Sequence, residues 1–205
     1  VKTVDLSHDL FHGAPSYSSD PDISITKEKG IDKDNSLLHN IRFGTHSGTH
    51  LDVPAHIILG GKTLSDFPLE AFFGIAVRID QTNYMKIEQY TEKTDAVIFD
   101  TGWYKKVSEP DTFFGKDRPA IPADLVEYII NSNIKIFGCD LPSVDVSGSK
   151  DKPIHNALLG SNIIVYESLA NLNQLPLLTP FEFYGFPLPF VGLDGSPVRA
   201  VAILD

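Results

Sequence analysis

The stretch His46-Ser47-Gly48-Thr49-His50-Leu51-Asp52-Val53-Pro54-Ala55-His56 puts three of the chain's seven histidines and an aspartate into one short run. Groups of this chemistry cannot be crowded into a protein interior unless a cation or a hydrogen-bond network satisfies them. The fold must therefore accommodate whatever they hold. His46, His50, Asp52 and His56 all occupy even positions, so on an extended chain they project to one side. Gly48 and Pro54 argue against a helix. A straight strand also fails, because residues four apart lie about 13 Å apart. Imidazole nitrogens bind a metal ion at about 2.1 Å, so one ion could not gather both His46 and His50 across that gap. The chain is predicted to bend at Gly48, which tolerates unusual backbone angles, and to continue as an extended segment stiffened by Pro54. Imidazoles and a carboxylate in this arrangement read as a cation site, not as polar residues scattered along a surface loop.

The rest of the chain is compatible with a globular α/β protein. Its 205 residues suit one domain over 1–205. The formal net charge of −10 disfavours nucleic acid or an anionic membrane as partner. No apolar run reaches the ~18 residues of a membrane span, and Val1 to Leu6 lacks the basic-then-apolar order of a signal peptide. Cys139 is the only cysteine, so no intrachain disulfide forms. A reducing, cytoplasmic setting is expected. Cys139 ends the apolar run from Ile134 and reads as a buried structural thiol.

Strands are expected at Val1 to Leu6, Ile23 to Lys27 (one face wet), Ser36 to Phe43, Gly74 to Asp80 and Asp95 to Asp100. Further strands are expected at Ile134 to Asp140, Ile163 to Tyr166, Phe181 to Phe186 and Val198 to Leu204. The nearly all-apolar centre of Asp95 to Asp100 predicts burial on both faces. Glu28 to Asn35 reads as a turn or exposed loop. Helices are expected over Ser65 to Phe73, Ile121 to Asn131, Ile154 to Leu159 and Ser168 to Leu175. The strongest is Ile121 to Asn131, where Leu125, Val126, Ile129 and Ile130 form one apolar stripe behind Pro122. Strands outnumber helices, as in an α/β or α+β domain.

His155 follows a turn-rich loop, and Glu167 ends an apolar strand. A carboxylate there is costly unless something positive meets it, and a divalent cation, a basic side chain or solvent would all serve. His46, His50 and Asp52 offer one ion three ligands and leave a position open, as catalytic sites do. Asp52 has two oxygens and can bridge to a second ion, completed by His155 and Glu167. This thiolate-free set suits Zn²⁺, Mn²⁺ or Fe²⁺. His56 lies four residues beyond Asp52, and its imidazole suits proton transfer near neutral pH. Hydrolysis of an amide, ester or lactam carbonyl follows as the reaction class. Asp140, Ser143 and Asp145 either orient ligands or simply form a turn. His8, His12 and His39 read as structural or surface residues.

His46-x-Gly48-Thr49-His50-x-Asp52-x-Pro54-x-His56 resembles the signature of the cyclase family, which includes bacterial kynurenine formamidase (arylformamidase) and isatin hydrolase. Asp5-Leu6-Ser7, Asp140-x-x-Ser143-x-Asp145 and His155-x-x-Leu158-Leu159 extend the resemblance. So do Phe183-x-Gly185-x-Pro187-Leu188 and Asp194-Gly195-x-Pro197-x-Arg199-Ala200. The resemblance implies a swivelling β/β/α domain that assembles as a homodimer or higher homo-oligomer. It implies two divalent ions, Zn²⁺ or Mn²⁺, the first on His46, His50 and Asp52 and the second on Asp52, His155 and Glu167. His56 is then the proton-transferring residue. The implied activity is cleavage of N-formylkynurenine to kynurenine and formate, with opening of an isatin-like lactam or cyclic imide as the alternative. A homologue that binds metal or ligand without catalysis is a third reading, at odds with the presence of all six positions. Where kynurenine formamidases carry a Trp-Pro pair in an early loop, this chain has Tyr17-Ser18. Ile57 stands where Phe is frequent. Tyr17 is thus the expected substrate-stacking residue, and the identity of the aryl substrate stays open.

Overall fold

Three apolar runs set the middle of the fold. The computed structural model describes residues 1–90 and 94–204. In chain order its strands are β1 (Lys2–Asp5), β2 (Ser24–Lys29), β3 (Leu38–Arg42), β4 (His50–Asp52), β5 (Phe73–Asp80), β6 (Ala96–Asp100), β7 (Ile136–Cys139), β8 (Ile164–Glu167), β9 (Pro180–Tyr184), β10 (Gly195–Pro197) and β11 (Val201–Leu204). The α-helices are α1 (Ile31–Asp34), α2 (Pro110–Phe113), α3 (Ala123–Ile130) and α4 (Pro153–Gly160). Every residue of β6, β7 and β8 is buried. These runs pair in parallel with one another, and β6 pairs in parallel with β5. Parallel strands covered on both faces are made of such near-continuous apolar sequence.

Among the described residues the main sheet has nine strands, in the order β1-β11-β9-β5-β6-β7-β8-β4-β10. Antiparallel strands extend the parallel centre on both sides. Helices α3 and α4 connect β6 to β7 and β7 to β8, and both lie over one face. There Leu125, Ile129 and Leu158 join Val97, Phe99, Phe137 and Val165 in one core. Leu51, Ile98, Tyr166 and Phe183 belong to the core of the other face. Cys139 is fully buried, and burial holds its thiol well above the usual range, as expected of a structural cysteine. Among the described residues, no helix is long and apolar enough to cross a membrane.

The strand-rich α/β class agrees with the expectation, while several local elements differ. Ser168 to Leu175 is not a helix. Ser168 and Asn171 take positive φ, and only Leu172–Gln174 forms a short 3₁₀ turn. Ser65 to Phe73 splits into two 3₁₀ turns, Leu64–Asp66 and Leu69–Phe72. Pro68 separates them, and Thr63 with Asp66 forms the capping box at the start of the first. β2 runs on to Lys29 and is followed by the single turn of α1, where a loop was expected. β2 and β3 form their own two-stranded sheet, and β3 is exposed along its length, so the pair does not turn one dry face to a core.

Tyr166 and Gly185 join β8 to the C-terminal strands. The fully buried Tyr166 hydroxyl donates to the Gly185 carbonyl at 2.7 Å. A Cβ on Gly185 would clash with Tyr166 Cε1. Tyr166→Phe is expected to lower stability by about 1–2 kcal/mol, because a buried acceptor loses its donor. Gly185→Ala should cost about 1–3 kcal/mol through overpacking. Urea unfolding checks both as lower midpoints at unchanged slope.

Candidate metal centre

The bend expected before β4 is present. Gly48 has a φ of 62°, a region glycine enters without steric cost. Beyond it, His50 and Asp52 on β4 are separated by one residue and so share a face. β4 lies between β8 and β10, with His50 opposite Glu167 on one side and Asp52 opposite Gly195 on the other. Sheet register therefore sets His50 Nε2 3.4 Å from Glu167 Oε2, and puts Asp194 next to the residue facing Asp52. A Cβ at Gly195 would meet His46 Cε1 at 2.8 Å, so glycine leaves room for that ring. His155 enters from the first turn of α4, behind Pro153.

The segment after Asp52 differs from expectation. Pro54–His56 is a 3₁₀ turn, with Pro54 at its first position. It swings His56 back, so that its ring centroid lies 4.1 Å from that of His46 and 5.5 Å from that of His155. The four even positions thus meet through a strand flanked by two turns, not along one extended face.

Asp52 is at the middle. Oδ1 lies 2.6 Å from His46 Nδ1 and 3.5 Å from His50 Nε2. Oδ2 lies 3.4 Å from His155 Nε2, itself 3.2 Å from Glu167 Oε1. Asp52, His50, His155 and Glu167 are all buried. Their orientation is held from behind. His50 Nδ1 donates to the Gly48 carbonyl at 2.8 Å, and His155 Nδ1 donates to Asp145 Oδ2 at 2.6 Å. Asp145 also accepts the Ile154 and His155 backbone N–H groups, and Val144 N–H donates to Glu167 Oε1 at 2.6 Å. Metal-binding histidines are fixed by just such contacts from their far nitrogens.

Protonation follows from this crowding. Burial opposes charge on His46, but Asp52 and Asp194 override it and push its pKa up to about 10. Burial likewise opposes charge on His155, and Glu167, Asp145 and Asp52 push its pKa up nonetheless. Asp52 and Glu167 are desolvated too, yet the neighbouring imidazoles hold both well below the usual carboxylate range.

The residues fit a divalent cation on two grounds. Asp52 Oδ2 is buried and has no hydrogen-bond partner, a costly state that a cation relieves. Donor atoms of His50, Asp52 and Glu167 lie within 4.8 Å of one another, as do those of His46, Asp52 and His56. Asp52 belongs to both trios. The second trio includes His56, which the family resemblance makes a proton carrier and not a ligand.

Three residues were missed. Asp194 accepts from His46 Nε2 at 2.7 Å and lies 3.4 Å from His56 Nδ1. These hydrogen bonds hold its carboxyl well below the usual range. Its place before Gly195-x-Pro197 was the available signal, but its partner His46 is 148 positions away. Arg118 and Lys152 line the cavity of about 240 Å³ that opens beside His46, His56 and His155. Nothing in their surrounding sequence marks them. Tyr17 lines the same cavity, with its hydroxyl accepting from Arg118 at 2.6 Å and its ring 4.7 Å from that of Phe114.

Residues 4–146 match the profile of the family described as "Putative cyclase". Kynurenine formamidase of Geobacillus thermodenitrificans is 32% identical over 96% of this chain and 95% of its own length. Kynurenine formamidase of Salinibacter ruber is 29% identical over 97% and 95%. Among solved structures, an isatin hydrolase bound to the product analogue thioisatinate superposes with a TM-score of 0.85, at 23% identity, over 99% of this chain and 92% of that one. Sequence profile, curated relatives and fold agree, and the chain belongs to the cyclase family.

Proposed function

We propose that the protein is a metal-dependent hydrolase of a small aryl amide, of the kynurenine formamidase type, releasing formate from an N-formyl arylamine. The observation that carries this reading is the convergence on Asp52 of His46, His50, His155 and Glu167 beside a cavity that also receives His56. The proposed ligands are His46, His50 and Asp52 for one ion, and Asp52, His155 and Glu167 for a second. When bound, a divalent cation supplies Lewis-acid polarisation of a carbonyl oxygen and acidifies water.

The chain's own groups do the rest. Gly48 and Asp145 keep Nε2 of His50 and of His155 turned toward Asp52. With Asp194 beside His56 Nδ1, Nε2 of His56, which lies 3.5 Å from Lys152 Nζ, is the nitrogen that takes a proton from attacking water and returns it to the leaving nitrogen. The C–N bond breaks, hydroxide ends on the formyl carbon, and the proton ends on the amine. Tyr17, held by Arg118, offers its ring to an aryl substrate. Burial pushes the Tyr17 hydroxyl up to about 12, so it stays neutral.

Opening of an isatin-like lactam is the second reading, favoured by the fold shared with isatin hydrolase. It uses the same groups, with the leaving nitrogen tethered to the product. By likeness to its relatives, the protein is proposed to be one domain over 1–205, working in the cytoplasm as a homodimer or higher homo-oligomer with Zn²⁺ or Mn²⁺.

Metal-loaded protein is expected to hydrolyse N-formylkynurenine faster than isatin, followed by absorbance. Ring opening without any formanilide turnover would reject the first reading in favour of the second. His56→Ala should keep its metal, by elemental analysis, and lose about 10²–10⁴-fold in kcat. Loss of metal would instead make His56 a ligand. Because the carboxylates raise the pKa values of His46 and His155, both are protonated in metal-free protein at neutral pH. An incoming cation must expel those protons. Zn²⁺ affinity should therefore rise with pH, and calorimetry at pH 7 in buffers of different ionisation enthalpy should register about one or more protons released per ion.

A further inference from the structure

The cavity beside the cluster carries two cations that the fold does not neutralise. Arg118 is 7% exposed. Its Nη1 donates to the Tyr17 hydroxyl, its Nη2 donates to the Asp145 carbonyl at 2.5 Å, and its Nε has no partner. Lys152 Nζ lies 3.5 Å from His56 Nε2. Among the described residues, neither cation has a carboxylate within 4.0 Å. Asp20 lines the same cavity but lies beyond that distance from both, and Asp145 and Glu167 are engaged with histidines.

An unpaired guanidinium in the interior is costly, and the cost is unexpected in a chain whose net charge is −10. Lys152 adds a second cost. Its φ of 40° is a left-handed conformation that non-glycine residues seldom take, and it holds that conformation where the chain enters α4. Strained backbone of this kind persists at ligand sites because the surroundings enforce it. The partner both cations lack is an anion, and the cavity they line is where it would sit.

We infer that Lys152 and Arg118 receive a carboxylate carried by the amine half of the substrate, close to the scissile nitrogen. This deepens the hydrolase reading and rests on it, since His56 is the group that protonates that nitrogen. The short Lys152–His56 distance places the carboxylate within a few bonds of the nitrogen. The site then favours acidic N-acyl amines over neutral ones, and Lys152 sets that preference. Charge-assisted contacts of this kind discriminate by about tenfold to a hundredfold.

The test compares 2-formamidobenzoate with formanilide on metal-loaded protein. Wild type is expected to show a kcat/KM ratio of about tenfold or more in favour of the acid. Lys152→Met should lower that ratio by about tenfold or more, chiefly through KM for the acid, and Lys152→Arg should retain most of it. Calorimetry with anthranilate, the product amine, gives a readout apart from turnover on both metal-loaded and metal-stripped protein. Lys152→Met should weaken anthranilate binding about tenfold or more in both states. An unchanged substrate ratio in Lys152→Met overturns the inference. So does anthranilate binding that metal removal abolishes but Lys152→Met leaves intact, because the carboxylate would then sit on the ion. Failure of wild type to bind anthranilate overturns it as well. If wild type turns over neither substrate yet binds anthranilate through Lys152, the hydrolase reading fails and the carboxylate receptor stands.

Discussion

A buried carboxylate with one unsatisfied oxygen, Asp52, constrains everything around it. It is fully enclosed, on a three-residue strand between β8 and β10. Ionised carboxylates do not persist in such a place without positive charge close by. Here that charge comes from His46, His50 and His155, whose pKa values are all raised despite burial. A divalent cation replaces those protons with fixed charge and gives the orphaned Oδ2 a partner. The sheet around it supplies the rigidity. Because β6, β7 and β8 are buried on both faces, β8 is held as a stiff rail, and β4 reads its register from it.

Around Asp52 the molecule is layered by function. Gly48, Val144, Asp145 and Asp194 touch the imidazoles and carboxylates from outside and fix which nitrogen or oxygen points inward. These contacts make a charged cluster into an oriented one, since a histidine whose Nδ1–H is committed can offer only Nε2. Farther out, Tyr17, Arg118 and Lys152 line the cavity.

The sequence made the inner layer legible for a local reason. His46, His50, Asp52 and His56 lie in one run, and Gly48 alone among its residues could supply the bend. The parallel centre was equally readable, since Ala96–Asp100 and Ile164–Glu167 are too apolar to be anything but buried strand. Where reading failed, a competing local device was responsible. Ser168 to Leu175 has helical composition, but Ser168 and Asn171 enter left-handed backbone and end it. Pro54 stiffens an extended chain, yet proline equally suits the first position of a helical turn, and there it folds His56 back toward His46.

By itself the sequence determined the crowding of imidazoles and a carboxylate into one run, the bend at Gly48 and the apolar strands, because each depends on residues near one another in the chain. Only the tertiary structure decided that Asp194 meets His46 and His56, that Asp145 grips His155, and that Arg118 reaches Tyr17 across 101 positions. Those meetings depend on sheet register and loop closure, which bring together positions with no shared periodicity. A lone aspartate, arginine or lysine carries no sign in its neighbours of the partner it will find.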